Sequence, residues 1–260
     1  KVWGNVLTRV GRNPLLPFRF STALKKETGL RTIDLYKKMT TELCVLWKQQ
    51  VNQLNYTNFN TISKSHKLPT DYHFPSIQDA NKIIVVKSGF DQIPIFITID
   101  SLGNEELIYQ PINYNHVSFF ANQQKMVWTE TVPDLRWEYR NYSDIKIYDF
   151  ETKKSYTFLK KTKLFAPVFS PSNQLLAAID YNQVGACQLL VYNLTAGKQH
   201  FFELVAGCNE QIKNPSWLNE DELIYVHFSE KGNSLKSVNI RSQKITTYIS
   251  PRSIFMANPF

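Results

Sequence analysis

Five places along this 260-residue chain carry the same short phrase. It is a proline, any residue, a large apolar side chain, a polar turn, and then an apolar run. The plainest copy is "APVFSPSNQLLAAID", with Pro167, Phe169 and the run Leu175 to Ile179. "FPSIQDANKIIVVK" repeats it with Pro75 and Ile77, and "NPSWLNEDELIYVH" with Pro215 and Trp217. "HVSFFANQQKMVWTE" puts Val117 in the proline's place, ahead of Phe119, and "ANPF" brings Pro259 back at the end. The anchors at 75, 117, 167, 215 and 259 are spaced by 42, 50, 48 and 44 residues. A period of that length constrains the fold more than any composition does, because each copy must be one supersecondary unit stacked on the next.

A second phrase falls later in each copy: an apolar strand that ends in a polar turn. Asp100, Asp149, Asn193 and Asn239 hold equivalent places in it, 25, 32, 26 and 24 residues after their anchors. An Asp or Asn there can hydrogen-bond its own turn backbone. A last strand follows, as in "ELIYQP" or "HFFEL". Each unit therefore reads as about four short strands, which is the pattern of propeller blades. A β-sandwich with even strand spacing is the rival, and the two-phrase correspondence weighs against it. The anchor proline suits the opening of a strand, where a missing N–H is tolerated.

The N-terminal part follows another period. "STALKKETG" suggests a short helix capped by Ser21 and stopped at Gly29. In "TIDLYKKMTTELCVLWKQQVNQL", Thr32 is the expected cap. Tyr36, Met39, Leu43, Leu46, Trp47, Gln50 and Leu54 recur every three or four residues, six of them apolar. Such a stripe is core packing rather than a cofactor box. Residues 1–20, with two prolines in "GRNPLLPFRF", suggest an irregular connection. The expected organisation is a helical segment at 1–54, a candidate tail of an upstream domain. A linker at 55–70 and blades at about 71–112, 113–162, 163–210 and 211–254 follow, then the start of a fifth. The fold class is mainly β, a partial β-propeller of four-stranded antiparallel blades. Ending within a repeat suggests a piece of a longer protein.

Charge separates the two parts. Residues 1–70 hold 12 Lys and Arg against 3 Asp and Glu; the rest hold 18 against 19. A basic segment could meet nucleic acid or anionic lipid. Its charges are scattered, and no RNP, zinc-finger or bZIP pattern is present, so a solvated helical surface is expected and nucleic acid is not. Cys44, Cys187 and Cys208 are expected as buried thiols, with a Cys187–Cys208 bridge left open. No apolar run is long enough to span a membrane. A targeting signal ahead of Lys1 stays open.

One copy is longer than the others. Its excess lies in "WTETVPDLRWEYRNYSD", residues 128–144. Long blade hairpins emerge at a rim, where binding loops sit. Glu130, Asp134, Arg136, Trp137, Glu138, Tyr139, Arg140 and Tyr142 gather there, and Arg and Trp are enriched in binding hot spots. Glu130, Asp134, Arg136, Trp137, Arg140 and Tyr142 are the candidate binding residues. The plainer expectation is a self-packed hairpin, with Trp137 buried and Arg136 and Arg140 paired to Glu130 or Asp134.

"FSPSNQLLAAID" with "LLVYNLTAGK" resembles the TolB-type propeller repeat, F-S-P-D-G followed by an apolar run and a D-x-x-T/S-G turn. Phe169, Ser170, Pro171 and Gly197 match; Ser172 and Asn173 replace the usual Asp-Gly. The likeness spans residues 71–250. "PFRFSTALKKETGLRTIDLYKKMTTEL", "YHFPSIQDANKIIVVKSGFDQIPIFITIDSLGNE" and "WTETVPDLRWEYRNYSDIKIYDFETKK" look like large envelope proteins of Bacteroidota, in which a gluzincin-like metallopeptidase domain precedes a TolB-like propeller. That resemblance implies a cell-envelope or secreted location, and zinc in an upstream domain. His66, His73, His116, His200 and His227 include no HExxH, so no metal or catalytic residue carries over.

No G-x-S-x-G elbow, P-loop or G-x-G-x-x-G is present. Glu105-Glu106 and Glu220-Asp221-Glu222 are expected in turns, as solvated carboxylates. The expected function is a non-catalytic binding or scaffold module for a protein or peptide, with no cofactor in this chain. The alternative is the substrate-gating propeller of a peptidase, whose zinc or serine chemistry would lie in flanking sequence.

Overall fold

In the computed structural model, residues 1–12, 15–55, 57–137, 140–181 and 186–257 are described, those at 115–118 by backbone alone. They form two compact units, Lys1–Thr61 and Ile62–Phe260.

The first unit holds three helices: α1 (Val2–Arg12), α2 (Arg19–Thr28) and α3 (Thr32–Asn52). The irregular connection expected at the N-terminus is largely helical instead. Val2, Val6 and Val10 stand four apart, and Val6 and Val10 pack with Ala23, Leu24 and Leu35. Glu27 joins α2 to α1, accepting from Asn5 at 2.9 Å and pairing with Arg9 at 2.8 Å. The expected caps are partly wrong. α2 begins before Ser21, behind Phe18 in the left-handed region, and the Thr32 hydroxyl donates to Ser21 Oγ at 3.0 Å rather than to a helix start. Gly29 does end α2, at φ 77, with its N–H on Lys25 O at 2.8 Å.

The second unit is sixteen strands in four antiparallel sheets, each a meander of four. The first sheet holds β1 (Thr70–Ile77), β2 (Lys82–Gly89), β3 (Gln92–Asp100) and β4 (Glu105–Tyr109). The second holds β5 (Tyr114–Ala121), β6 (Lys125–Pro133), β7 (Asn141–Asp149) and β8 (Lys154–Thr162). The third holds β9 (Leu164–Phe169), β10 (Leu175–Tyr181), β11 (Cys187–Asn193) and β12 (His200–Val205). The fourth holds β13 (Gln211–Trp217), β14 (Glu222–Ser229), β15 (Gly232–Asn239) and β16 (Ile245–Arg252). The first strands β1, β5, β9 and β13 are neighbours in sequence order, so the sheets stack around them as blades.

This stacking explains why the second strands are continuously apolar. On β10, Leu176 and Ala178 face the second blade with Val127, Ile145 and Ile147. Ala177 and Ile179 face the fourth with Ile212, Leu223 and Tyr225. On β6, Val127 faces the third blade while Met126 and Trp128 face Ile84, Val86 and Phe96 of the first. A sheet with one solvated face would alternate; a sheet with two buried faces does not. The far face of the first blade, Val85, Ile97 and Ile99, is met by Ile62. Gly103, at φ 77, allows that approach, because a side chain there would run into the Ile62 carbonyl.

The second phrase behaves as its chemistry suggests. Asp100 accepts the N–H of Leu102 at 2.9 Å and of Asn104 at 2.8 Å. Asp149 accepts from Thr152 at 2.9 Å, Asn193 from Thr195 at 2.9 Å, and Asn239 from Ser242 at 2.9 Å. The anchor prolines are a correction. Pro75, Pro167 and Pro215 lie inside β1, β9 and β13, not at their openings. Each stands at a β-bulge, just after a left-handed residue: Phe74 (φ 54), Ala166 (φ 47) and Asn214 (φ 49). A bulge on a sheet's terminal strand leaves one N–H outside the ladder, so a residue without one fits. The Val117 side chain and Pro259 lie outside the described residues, as does the start of a fifth blade.

Cys187 is buried, with its thiol against Ile212, and burial pushes its pKa up. Cys44 and Cys208 are exposed rather than buried, and all three are free.

Candidate functional site

The long hairpin is the extension of β6 and β7, paired down to Pro133 opposite Asn141. The Asp134 carboxylate then folds the turn, accepting the N–H of Arg136 at 2.9 Å and of Trp137 at 3.1 Å. Those bonds, with the nearby charges of Arg140 and Lys161, hold the Asp134 carboxyl below its usual range. Arg140 N–H closes the loop on Trp137 O at 3.0 Å. The Arg136 guanidinium lies over the Trp137 ring at 5.1 Å, and Arg140 and Lys163 lie over Tyr142 at 5.6 and 5.2 Å.

Five of the six candidate residues thus share one surface: Asp134, Arg136, Trp137, Arg140 and Tyr142. Glu130 does not join them. It is buried on β6, where it accepts the Trp128 indole N–H at 3.0 Å and stands 3.9 Å from Lys146. The self-packed arrangement does not form either, since Trp137 is 55% exposed and Leu135 fully so. Glu138 and Tyr139 lie outside the described residues.

A second surface is absent from the sequence expectations. A cleft of about 410 Å³ opens where the first strands of all four blades end. Ile77, Phe120, Phe169 and Trp217 supply its apolar wall, and Asn122, Gln123, Gln124 and Asn173 its polar edge. No lining side chain is charged. Neighbouring blades are tied together around it. Asn122 Nδ2 donates to Asn173 Oδ1 at 2.5 Å, and Asn173 Nδ2 to Gln124 Oε1 at 2.9 Å. Trp217 Nε1 donates to Val168 O at 3.3 Å, and Ser172 N–H and Oγ–H both meet Glu220. Asn173 adopts φ 60, so it takes the left-handed turn position that the repeat usually gives to glycine.

The missed signal was in the repeat itself. Ile77, Phe169 and Trp217 are the large apolar residues two places after their anchors, and the sequence reading assigned them to blade architecture alone. In the second blade Phe119 turns into the core and Phe120 lines the cleft. The cleft and the hairpin lie at opposite ends of β6. Nine residues of strand separate them, roughly 30 Å at about 3.3 Å per residue.

Two polar clusters complete the electrostatics. On the first blade, Glu105 accepts from Lys87 and from Tyr72, each at 2.5 Å, and His66 meets the Tyr72 hydroxyl at 2.7 Å. Burial works to raise the Glu105 carboxyl, but the bonds and charge of its partners outweigh it and lower the pKa. On the fourth, His227 Nε2 meets Glu210 at 3.0 Å, and this bond heads the causes that lower the Glu210 carboxyl. Ser234 stands 3.5 Å from the other His227 nitrogen but is fully buried, with its hydroxyl on His227 O. A serine so enclosed is a packing element, not an accessible nucleophile. Among the described residues, no group of three or more His, Cys, Asp or Glu could hold a metal ion. No helix there is long and apolar enough to cross a membrane.

No protein-family profile matches this chain, and no curated protein does. Solved structures do. TolB from Acinetobacter baumannii is similar at 17% identity over 75% of this chain and 46% of that one, with a TM-score of 0.56. The chain thus spans less than half of that protein's length. A putative TolB from Agrobacterium tumefaciens is similar at 10% identity over 64% of this chain and 60% of that one, TM-score 0.49. A puromycin-hydrolyzing peptidase of Mycobacterium tuberculosis is similar at 13% identity over 68% of this chain and 30% of that one, TM-score 0.49. At 17% identity the likeness to the Acinetobacter baumannii protein speaks for architecture alone, and it agrees with the four meander sheets. The blades of this chain have the TolB-like β-propeller fold.

Proposed function

We propose that this chain is a non-catalytic binding module that takes a short, neutral, extended segment of a protein partner in the cleft at the ends of β1, β5, β9 and β13. The observation that carries this reading is the lining: an aromatic and aliphatic wall beside uncharged amides. A volume of about 410 Å³ falls within the range of ligand pockets. Amide side chains both donate and accept, so they suit a peptide backbone, while Ile77, Phe120 and Trp217 suit one apolar anchor. The hairpin residues Asp134, Arg136, Trp137, Arg140 and Tyr142 form a second binding face of the same module. An envelope or secreted location accords with the resemblance to envelope propellers.

Panning the chain against a peptide library tests the reading. Peptides selected on it should be uncharged with one bulky apolar residue, and their affinity should hold steady as salt rises. Ile77→Asp, at an exposed position, should weaken them at least tenfold without unfolding the protein. Selected peptides that are indifferent to Ile77→Asp and Gln123→Ala would place binding elsewhere.

A further inference from the structure

We infer that α3 is a peripheral membrane element that lies along an anionic lipid surface, with its apolar face in the boundary between headgroups and acyl chains. This goes beyond the cleft reading and does not rest on it, since α3 belongs to the helical unit and the cleft to the blades.

The distribution of residues around the helix carries the inference. At about 100° per residue, Leu46, Met39, Leu43, Tyr36, Trp47 and Ile33 fall within an arc of roughly 140°, and no charged residue falls inside it. Ile33, Tyr36 and Trp47 are more than half exposed, and Met39 and Leu46 nearly half. α3 meets the small apolar cluster of its own unit through Leu35, just outside one margin of the arc, so the arc itself is left open within that unit. Lys37 and Lys48 stand beyond one margin, Lys38 and Glu42 beyond the other. All three lysines are exposed, and among the described residues none forms an ion pair or lies over a ring. Residues 1–61 carry 10 Lys and Arg against 3 Asp and Glu, and Glu27 is already paired with Arg9.

These features choose among occupants. In a helix lying in the plane of a bilayer surface, aliphatic side chains enter the acyl boundary, Trp and Tyr sit at the headgroup level, and flanking lysines reach the phosphates along their apolar stems. α3 has each of these layers, and it is not apolar enough to cross a bilayer. The positive charge of its unit selects an anionic surface. A second copy is the poorer fit. Tyr36, Met39, Leu43 and Leu46 keep a coiled-coil spacing for less than two heptads before Gln50, and Trp47 and Ile33 carry the apolar face well past such a seam.

Flotation of the full chain with phosphatidylglycerol-rich and with phosphatidylcholine vesicles is the test, and binding to the first alone is expected. Each basic residue near an anionic surface contributes about fivefold to partitioning, so Lys37→Glu with Lys48→Glu should lower it more than ~25-fold. Met39→Asp with Leu46→Asp should lower it at least about tenfold. All four side chains are exposed, so both double variants should melt like the parent chain. Should the apolar pair melt lower, the lysine pair, off the apolar face, decides. Brominated acyl chains should quench tryptophan emission, and Trp47→Phe should remove most of that quenching. The inference is overturned if the chain binds both vesicle types equally or neither, or if the lysine pair floats like the parent. It is overturned equally if a normally melting apolar pair floats like the parent, or if Trp47→Phe leaves most of the quenching in place. Absence of vesicle binding, together with a dimer in sedimentation equilibrium that Leu46→Asp dissociates, would assign the face to a second copy instead.

Discussion

The two units spend similar apolar content in opposite ways. Among the described residues of Lys1–Thr61, only Val6, Ala23 and Leu24 are buried apolar side chains, and α3 buries nothing over 21 residues. In the blades, each second strand is buried on both faces. Isolated helices of this length are marginal in water, and most helical stability comes from a packed face. Three buried side chains cannot offset the entropy of ordering some sixty residues. The difference shows that a periodic apolar face specifies a helix without specifying what the helix rests on. A stacked sheet is defined together with its neighbours.

The comparison can be broken first at the blade core. Trp128 is fully buried and donates to Glu130, itself buried. Trp128→Ala should cost about 3–5 kcal/mol, from cavity formation and the loss of the indole donor to a buried carboxylate. Urea denaturation monitored by far-UV circular dichroism measures it, and a loss near zero would mean the blades do not stack as described.

A smaller effect separates the blades from one another. Asp100 and Asp149 close the turns of the first two, Asn193 and Asn239 those of the last two. Backbone hydrogen bonds hold both aspartates below the usual 3.8. A carboxyl with a lowered folded pKa adds stability that is present above its unfolded pKa and is lost as pH falls through the folded one. Acid should therefore loosen the first two blades below about pH 4, leaving the Asn turns unchanged. Asp149→Asn should flatten that pH dependence. Amide exchange at Thr152 and Ser242, followed with pH, distinguishes the blades; equal acid sensitivity at both turns counts against the idea.

The smallest expected change is in α3. Leu46 is 48% exposed, so Leu46→Asp should shift stability by no more than about 0.5 kcal/mol. The stripe read from sequence alone implies a much larger loss. A large drop in the melting temperature would show that this face is covered in solution.

Legibility followed the range of the interactions. The repeat was readable because turn chemistry is local: an Asp or Asn bonding two or three residues ahead leaves its mark in the same short segment. The α3 stripe was readable as a helix for the same reason. Its exposure was not, because burial depends on a partner that periodicity does not name. α1 was missed because Gly4, Gly11 and the nearby prolines obscured the Val2, Val6 and Val10 spacing. The hairpin was found by its extra length, but Glu130 was misplaced there, because nothing local says that Trp128 claims it. The cleft draws on positions 77, 120, 169 and 217, which meet only once four blades are stacked.

Two-sided burial has one more consequence, for strand register. In a sheet with one wet face, slipping a strand by one residue exposes its apolar side chains, and that cost fixes the alignment. In "IIVV", "LLAAI" or "LIYV" a slip exchanges one apolar face for another, so burial offers little protection. Alignment must then be held at the strand ends. The bulges at Pro75, Pro167 and Pro215, and the side chains of Asp100, Asp149, Asn193 and Asn239, stand where such pins are needed. The recurring residues of this chain are the ones that keep its interchangeable apolar runs from sliding.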